Sequence, residues 1–484
     1  MMMRILIQKE LKSILLSPKF PASFAICTVL MLLSVYVGIN EYHSSVRQYE
    51  EAGRLSGEEM RQAPGWMSVH NRVYRSPDPM QIFAGGISND IGRWSLIDQF
   101  SGVKLRNSVY SDDPIFAVFR FIDFAFIVQI VLSLMAVLFT YDAVNGERES
   151  GTLQLAFSNS VSRAQYLVAK VAGAWCGLVI PVLIPVALSL LLLLLYRVPM
   201  TGAHWLSLAT LLGASFLYFT FFVVFGVLTS TVTKRSAVSF LFALVAWLLL
   251  VLVIPRAGVI AAGQIVAVPT VAEVDGEKDT YAKGAWKDLT DEMEARWRTR
   301  QTPLNQLTKE ERQKYQDDHL WAWMEQDDSA RKATEKKIDE YGIRLNEDLR
   351  NRKAVQERLA FVFSRFSPAS AYQLAAMDLG GTDLSLKSRY EDALQTYRTA
   401  FNAFTDKKQK ESGGSGGIRI TFDTDRGFSF DVPRERTLDL SGIPEFAHPQ
   451  FSFSLPVIDL GILALYSLLA FAGAFVAFLR YDVR

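Results

Sequence analysis

Histidine and cysteine are scarce in this 484-residue chain, with five of the first and two of the second. Cys27 and Cys176 both fall inside apolar runs, so neither a disulfide framework nor a cysteine-built zinc site is available. The histidines (His43, His70, His204, His319 and His448) are scattered, and no H-E-x-x-H or comparable ligand spacing occurs. Also missing is any G-x-x-x-x-G-K-[ST], the loop whose backbone cradles nucleotide phosphates, so the chain cannot build a P-loop. The glycine-rich stretch Ser412–Gly417 lacks the Lys-Ser/Thr pair and the following helix, and reads as a flexible linker. A charge surplus is absent too. The formal net charge is +1, and no basic footprint points to nucleic acid. No catalytic residue, metal or resident cofactor is therefore assigned.

What the chain has in quantity is apolar sequence, half of its residues, gathered into runs. Several exceed the roughly 20 residues needed to cross a bilayer. The expected fold is a mainly α membrane protein with six transmembrane helices, at residues 20–39, 116–141, 166–195, 205–232, 237–254 and 456–478. The first run lacks an A-x-A cleavage site and reads as a retained anchor. Pro181 and Pro185 should kink the third span, which neighbouring helices tolerate in lipid. Residues 1–19 form a short basic helix with Ile7, Leu11, Ile14 and Leu15 on one face, suited to the interface plane.

Two insertions separate the spans. Residues 40–115 form a small unit punctuated by Pro64-Gly65, Pro77-Asp78-Pro79 and Gly85-Gly86. Residues 256–455 form a large unit, mostly helical. Thr308-x-x-Glu311 signals a capping box. Apolar residues recur at helical spacing through Ile338, Tyr341, Leu345 and Phe363, and again through Leu386, Tyr390, Leu394, Tyr397 and Phe401. These two stripes are expected to pair as an antiparallel hairpin. Alternation at Ile420 and Phe422, then Phe428 and Phe430, around residues 424–427 predicts a short β-hairpin. Trp286, Trp297, Trp321 and Trp323 are either a ligand surface or packing residues. Short-loop bases (Lys9, Lys12, Lys19, Arg148, Arg163, Lys170, Lys234, Arg235 and Arg480) put both termini, including the tail 479–484, in the cytoplasm. The two insertions then face outside.

Between the second and third spans lies a polar loop, residues 142–165, with acids in front and bases behind. Asp142, Glu147 and Glu149 precede a Gly151-Thr152 break, the apolar Leu153, Leu155 and Phe157 follow, and Arg163 and Lys170 lead back to the membrane. This order suits the dipole of a short helix beginning near Thr152. An apolar face at a membrane surface needs something to dock against. Read without that partner, the same charges are helix-start acids and positive-inside anchors. In the second span, Arg120 and Asp123 share a helix face near its outer end. They are a pathway or gate element, or a pair stapling the helix end. Gln129, deeper, either lines a pathway or bonds a neighbouring helix.

The segment GERESGTLQL…SVSRAQYLVAK resembles the coupling-helix region of ABC-2 type permeases, whose pattern is roughly E-x-E-x-G-T-L, a small-residue stretch, S-R, then K. The likeness is closest to the NosY-like branch with large extracytoplasmic insertions. It is detailed over residues 123–173 and weaker at 77–86 and 367–383. The resemblance implies the membrane subunit of an ATP-driven exporter in the bacterial inner membrane. Two permease copies, identical or paralogous, would assemble with a separate ATPase dimer that binds ATP and Mg. It implies ATPase docking by Glu147, Glu149, Gly151, Thr152, Leu153 and Leu155, with Asp142, Arg163 and Lys170 anchoring the loop. Two rivals stay open: a permease that transmits motion to a periplasmic protein without transport, and a membrane scaffold or enzyme outside this family.

Overall fold

The computed structural model describes residues 2–98, 103–108, 122–158, 161–304, 308–411, 419–423, 427–431 and 438–480. The chain divides into two compact units: Met1–Val253 together with Ser367–Arg484, and Ile254–Phe366. Among the described residues six helical segments are long and apolar enough to span a membrane.

The first unit begins with α1 (Met2–Leu15) and α2 (Lys19–Arg61). The expected first span covers only half of α2, which continues unbroken to Arg61 and ends in the first insertion. There β1 (Asn71–Tyr74) and β2 (Trp94–Ile97) pair antiparallel with Tyr74 opposite Trp94. The second span is α3, residues 124–140. It contains one π-helical turn, Val128–Leu132, which releases a backbone carbonyl from the regular ladder. Tyr218 uses the opening, donating its hydroxyl to the Gln129 carbonyl at 3.0 Å. Two short helices follow, α4 (Asn145–Glu149) and α5 (Thr152–Ser158), then the long helices α6 (Arg163–Leu195) and α7 (Gly202–Val232). Pro181 and Pro185 lie inside α6, which runs on through both. Helix α8 (Ser236–Leu248) continues into a π-helical turn, Leu249–Val253.

The second unit is a helical hairpin: α9 (Ile254–Ile265), α10 (Val271–Leu304) and α11 (Lys309–Ser364). Glu311 accepts from both the amide and the hydroxyl of Thr308, closing the expected capping box. Helices α10 and α11 pack together, with Tyr281 stacked on Tyr341 at 3.9 Å between ring centres. Trp286 and Trp297 are exposed on α10, while Trp323 lies under the Arg300 guanidinium. The side chain of Trp321 lies outside the described set.

Arg300 and Arg296 clamp Asp327 across the hairpin, at 2.8 and 3.3 Å. The hydrogen bonds from Arg300 hold the Asp327 carboxyl below the usual carboxylate range. A depressed folded value means stability present above the unfolded value of about 3.9 and lost as pH falls through the folded one. Hydrogen exchange at residues 296–304 should therefore speed up below about pH 4, after correction for intrinsic rates, and Asp327→Asn should exchange faster at neutral pH. Equal protection at pH 3 and pH 6 would show that the clamp holds nothing.

The chain then returns to the first unit through α12 (Pro368–Leu379), α13 (Ser385–Glu411), the ladder β3 (Arg419–Asp423) with β4 (Gly427–Asp431), and α14 (Val457–Leu479). The expected β-hairpin forms, with Phe422 opposite Phe428; its turn, residues 424–426, and the linker 412–417 lie outside the described residues. Two expectations need correction. The stripe of Leu394, Tyr397 and Phe401, expected to pair with the stripe of residues 338–363, closes a core with Met60, Trp66, Val73 and Ile97 of the first insertion. Helix α12, expected inside the outer insertion, packs against α7 and α14 within the bundle core, with Ala369, Ala371, Tyr372, Ala375, Ala376 and Leu379 fully buried. Its small residues permit that close approach. Tyr372 stacks on Tyr218 and meets Ser215 at 3.0 Å.

The outer flanks of the bundle are apolar: Ile180, Leu191, Leu241 and Leu468 are each more than half exposed. An aqueous surface would not leave this much hydrocarbon uncovered, and a bilayer covers it.

Candidate functional site

Helix α3 ends at Thr140, and the following turn is pinned from below. Ser230 of α7 donates to the Asn145 side chain and receives the amides of Val144 and Asn145 at 2.9 and 3.1 Å. Glu147, in the first turn of α4, therefore points back at the bundle. Its carboxylate takes Lys9 at 2.5 Å, Lys170 at 2.9 Å and the Tyr166 hydroxyl at 2.6 Å. Lys170, only 5% exposed, also binds Glu10 at 2.7 Å. Two cations and two carboxylates thus knit α1, α4 and α6 into one knot of charge-assisted bonds.

Helix α1 reaches this knot because α6 carries Gly173 and Gly177. A Cβ at Gly173 would collide with the Glu10 side chain, and one at Gly177 would press on Ile14. The G-x-x-x-G spacing was readable in the sequence and marks a close helix contact in an apolar segment. It is the signal that could have identified Lys9 and Glu10 as members of the site; residue typing alone left them as anonymous charges.

The remaining acids and bases hold other joints. Glu149 caps α8, accepting the Ser236 amide and hydroxyl at 2.8 Å each. Arg163 donates to the last carbonyls of α14, those of Phe478 (3.1 Å) and Leu479, where a cation also favours the helix dipole. Asp142 stands half-buried at the start of the loop.

Gly151 separates α4 from α5 at φ +72°, a left-handed conformation that strains any residue with a Cβ. The turn sends Leu153 inward. It is 1% exposed and packs with Val144, Val161, Tyr166, Leu167, Val227 and Phe478. The expected exposed apolar face of α5 is thus smaller than the sequence suggested: Leu153 is core, Phe157 is half-buried against Tyr166 and Phe478, and Leu155 is 66% exposed. Gly151, Thr152 and Gln154 share the exposed side.

At the other end of the bundle, Asp123 caps α3 through the Phe126 amide and also accepts the Gly85 amide, both at 2.8 Å. Arg120 lies outside the described residues. Residues 77–86 and 367–383 interlock here: Thr382 donates to the Ala84 carbonyl at 2.9 Å, and the Ile87 amide donates to Thr382. The Gln129 carbonyl serves Tyr218 and Ser133. A cleft beside α3 is lined by Met31, Phe124, Val128, Val182, Leu212 and Phe219, with Ser215 contributing the one hydroxyl among its lining residues.

The chain from residue 4 to residue 483 matches the model of a family described as ABC-2 family transporter protein. No curated protein matches it.

Proposed function

Because this chain belongs to the ABC-2 transporter family, we propose that it is the permease subunit of an ATP-driven exporter and that a separate ATPase docks on α5. Membership counts against a membrane scaffold or enzyme outside this family. The observation that carries the docking proposal is the division of labour in the loop. One side of α5 is welded to the bundle through Leu153, while Leu155, Gly151 and Thr152 are left outside. A push on that outer side would pass through Leu153 into α6 and α14, and through the Glu147 knot into α1 and α6. In this proposal Leu155 and Thr152 touch the ATPase, Gly151 supplies the turn, and Glu147, Glu149, Leu153, Asp142, Arg163 and Lys170 stiffen the joint that transmits the stroke. The loop end is then cytoplasmic, the insertions are extracytoplasmic, and two permease copies flank the path. The apolar run Leu188–Leu195 of the third span, which carries no charge, favours a lipid-like cargo over a small ion.

Leu155→Asp should weaken capture of the ATPase encoded beside this gene by at least about tenfold, the scale of an interface anchor, while leaving thermal stability unchanged. Leu153→Asp should lose both, since it buries a charge. Wild-type capture by Leu155→Asp would remove α5 from the interface.

One observation favours the second reading, motion without cargo. Helix α2 runs without a break from the first span into the core built with Trp66, Tyr397 and Phe401, a rigid rod from membrane to insertion. Lipid-stimulated ATPase activity in proteoliposomes would support export. Stimulation only by an outer protein partner would support transmission.

A further inference from the structure

After Arg256 the hairpin unit begins with an uncharged stretch, residues 257–272. Helix α9 packs on the end of α11 through small residues. A Cβ at Gly258 would meet the Ser364 amide nitrogen at 2.8 Å, and Ala262 is fully buried. Hydrogen bonds close this foot, from the Ser364 hydroxyl to the Pro255 carbonyl at 3.4 Å and from the Gln356 side chain to the Val266 carbonyl at 2.9 Å. Its outer sides are apolar and open. Val259 and Ile260 are 58% and 65% exposed on α9. On α11, Val355, Val362 and Phe366 form one stripe, each at least half exposed, on the side turned away from Ser364.

The chain itself gives the depth of the foot. Ser367, the first residue after the unit, donates its hydroxyl to the Leu250 carbonyl. Leu250 stands about 21 Å along its helix from the basic turn Lys234-Arg235, at 1.5 Å a residue, and tilt only shortens that distance. The hydrocarbon of a bilayer is about 30 Å thick. Both chain ends of the unit, Ile254 and Phe366, therefore leave the bundle before the hydrocarbon ends. Leu241, Val245, Leu249 and Val253, exposed at intervals of four, carry the lipid-facing stripe of the span up to the first residue of the foot.

We infer that this foot, α9 with residues 355–366 of α11, is embedded in the bilayer where hydrocarbon gives way to headgroups, with its outer sides against acyl chains. A protein partner would cover one side of a two-helix stem. Lipid surrounds a stem, and here both outer sides are apolar. Arg352 and Arg358 are exposed on either flank of the α11 stripe, toward the end farther from the bundle, and Arg352 also holds Asp348 at 2.8 Å. Long cationic side chains in that position lay their stems on apolar surface and turn their heads to the polar layer.

Spin labels test this in the full-length protein, carrying Cys27→Ala and Cys176→Ala, in phosphatidylglycerol nanodiscs. The label is placed by Phe366→Cys, Val362→Cys or Val355→Cys, with Lys283→Cys, exposed on α10, as the control. Oxygen concentrates in hydrocarbon, and a polar nickel chelate is excluded from it. The ratio of relaxation by oxygen to relaxation by nickel should fall from position 366 through 362 to 355. At 366 it should exceed the control by at least about tenfold, the scale set by the cost of moving polar groups into hydrocarbon. A ratio equal to the control at all three positions puts the foot in water and overturns the proposal. Poor access to both reagents puts it under protein, a second copy if the labels broaden one another, and overturns it equally. Wild-type protein answers without labels. Irradiation of a phospholipid bearing a diazirine on its acyl chain should leave adducts on residues 257–262 and 359–366 and none on residues 275–300. A foot free of adducts beside a labelled α8 would refute the embedding even if the cysteine variants were unstable.

Discussion

Lys170→Met should lower the stability of the folded bundle by about 3–5 kcal/mol, the usual penalty for leaving a buried charge without its partner. Lys170 is the hub between Glu10 and Glu147, and all three side chains are 13% exposed or less. Without it, two largely buried carboxylates face each other, with Lys9 and Tyr166, among the described residues, left to answer Glu147. Against a total stability of about 5–15 kcal/mol this is severe. Thermal unfolding in detergent should show it directly. Glu10→Gln and Glu147→Gln introduced together on the Lys170→Met background should restore most of the loss, because the removed carboxylates no longer repel. A triple variant no more stable than Lys170→Met, or a single variant as stable as wild type, would mean that the knot is held by packing and not by charge. A separate comparison of ATPase capture tests whether the knot also transmits the stroke.

The second large effect is expected at Gly226, where α7 crosses α3. A Cβ there would fall well inside contact distance of the Thr140 hydroxyl, which is itself turned onto the Ala136 carbonyl at 2.7 Å. Gly226→Ala should cost about 1–3 kcal/mol, the price of one overpacked contact in a close-packed interior. Thr140→Ala should relieve part of it, since Thr140 Cβ remains at 2.9 Å from the added atom. The internal control is Gly213→Ala on the same helix, where an added Cβ meets nothing within 4 Å and the helix gains propensity. If both glycine variants behave alike in thermal unfolding, the crossing of α3 and α7 is looser than the structure states.

The sequence by itself determined the class of protein and the whereabouts of the loop proposed to dock the ATPase. Apolar length identified six spans because lipid leaves an isolated segment no other way to satisfy its backbone than a helix of fixed rise. The acid–glycine–apolar–base order of residues 142–170 located the loop, since dipole and turn chemistry are local. Tertiary structure decided which way each of those residues faces. Leu153 and Leu155 are equivalent in composition and two positions apart, yet one is core and the other exposed, because the left-handed turn at Gly151 sets the azimuth of α5. Glu147 found Lys9, 138 residues away, which no local spacing encodes. Helix α12 was illegible for a related reason. Twelve residues are too short to read as a span, and an Ala-rich face suits a soluble core and a membrane crossing equally. The partner of α13 was misjudged because an apolar stripe at helical spacing specifies that a face is buried, not what buries it.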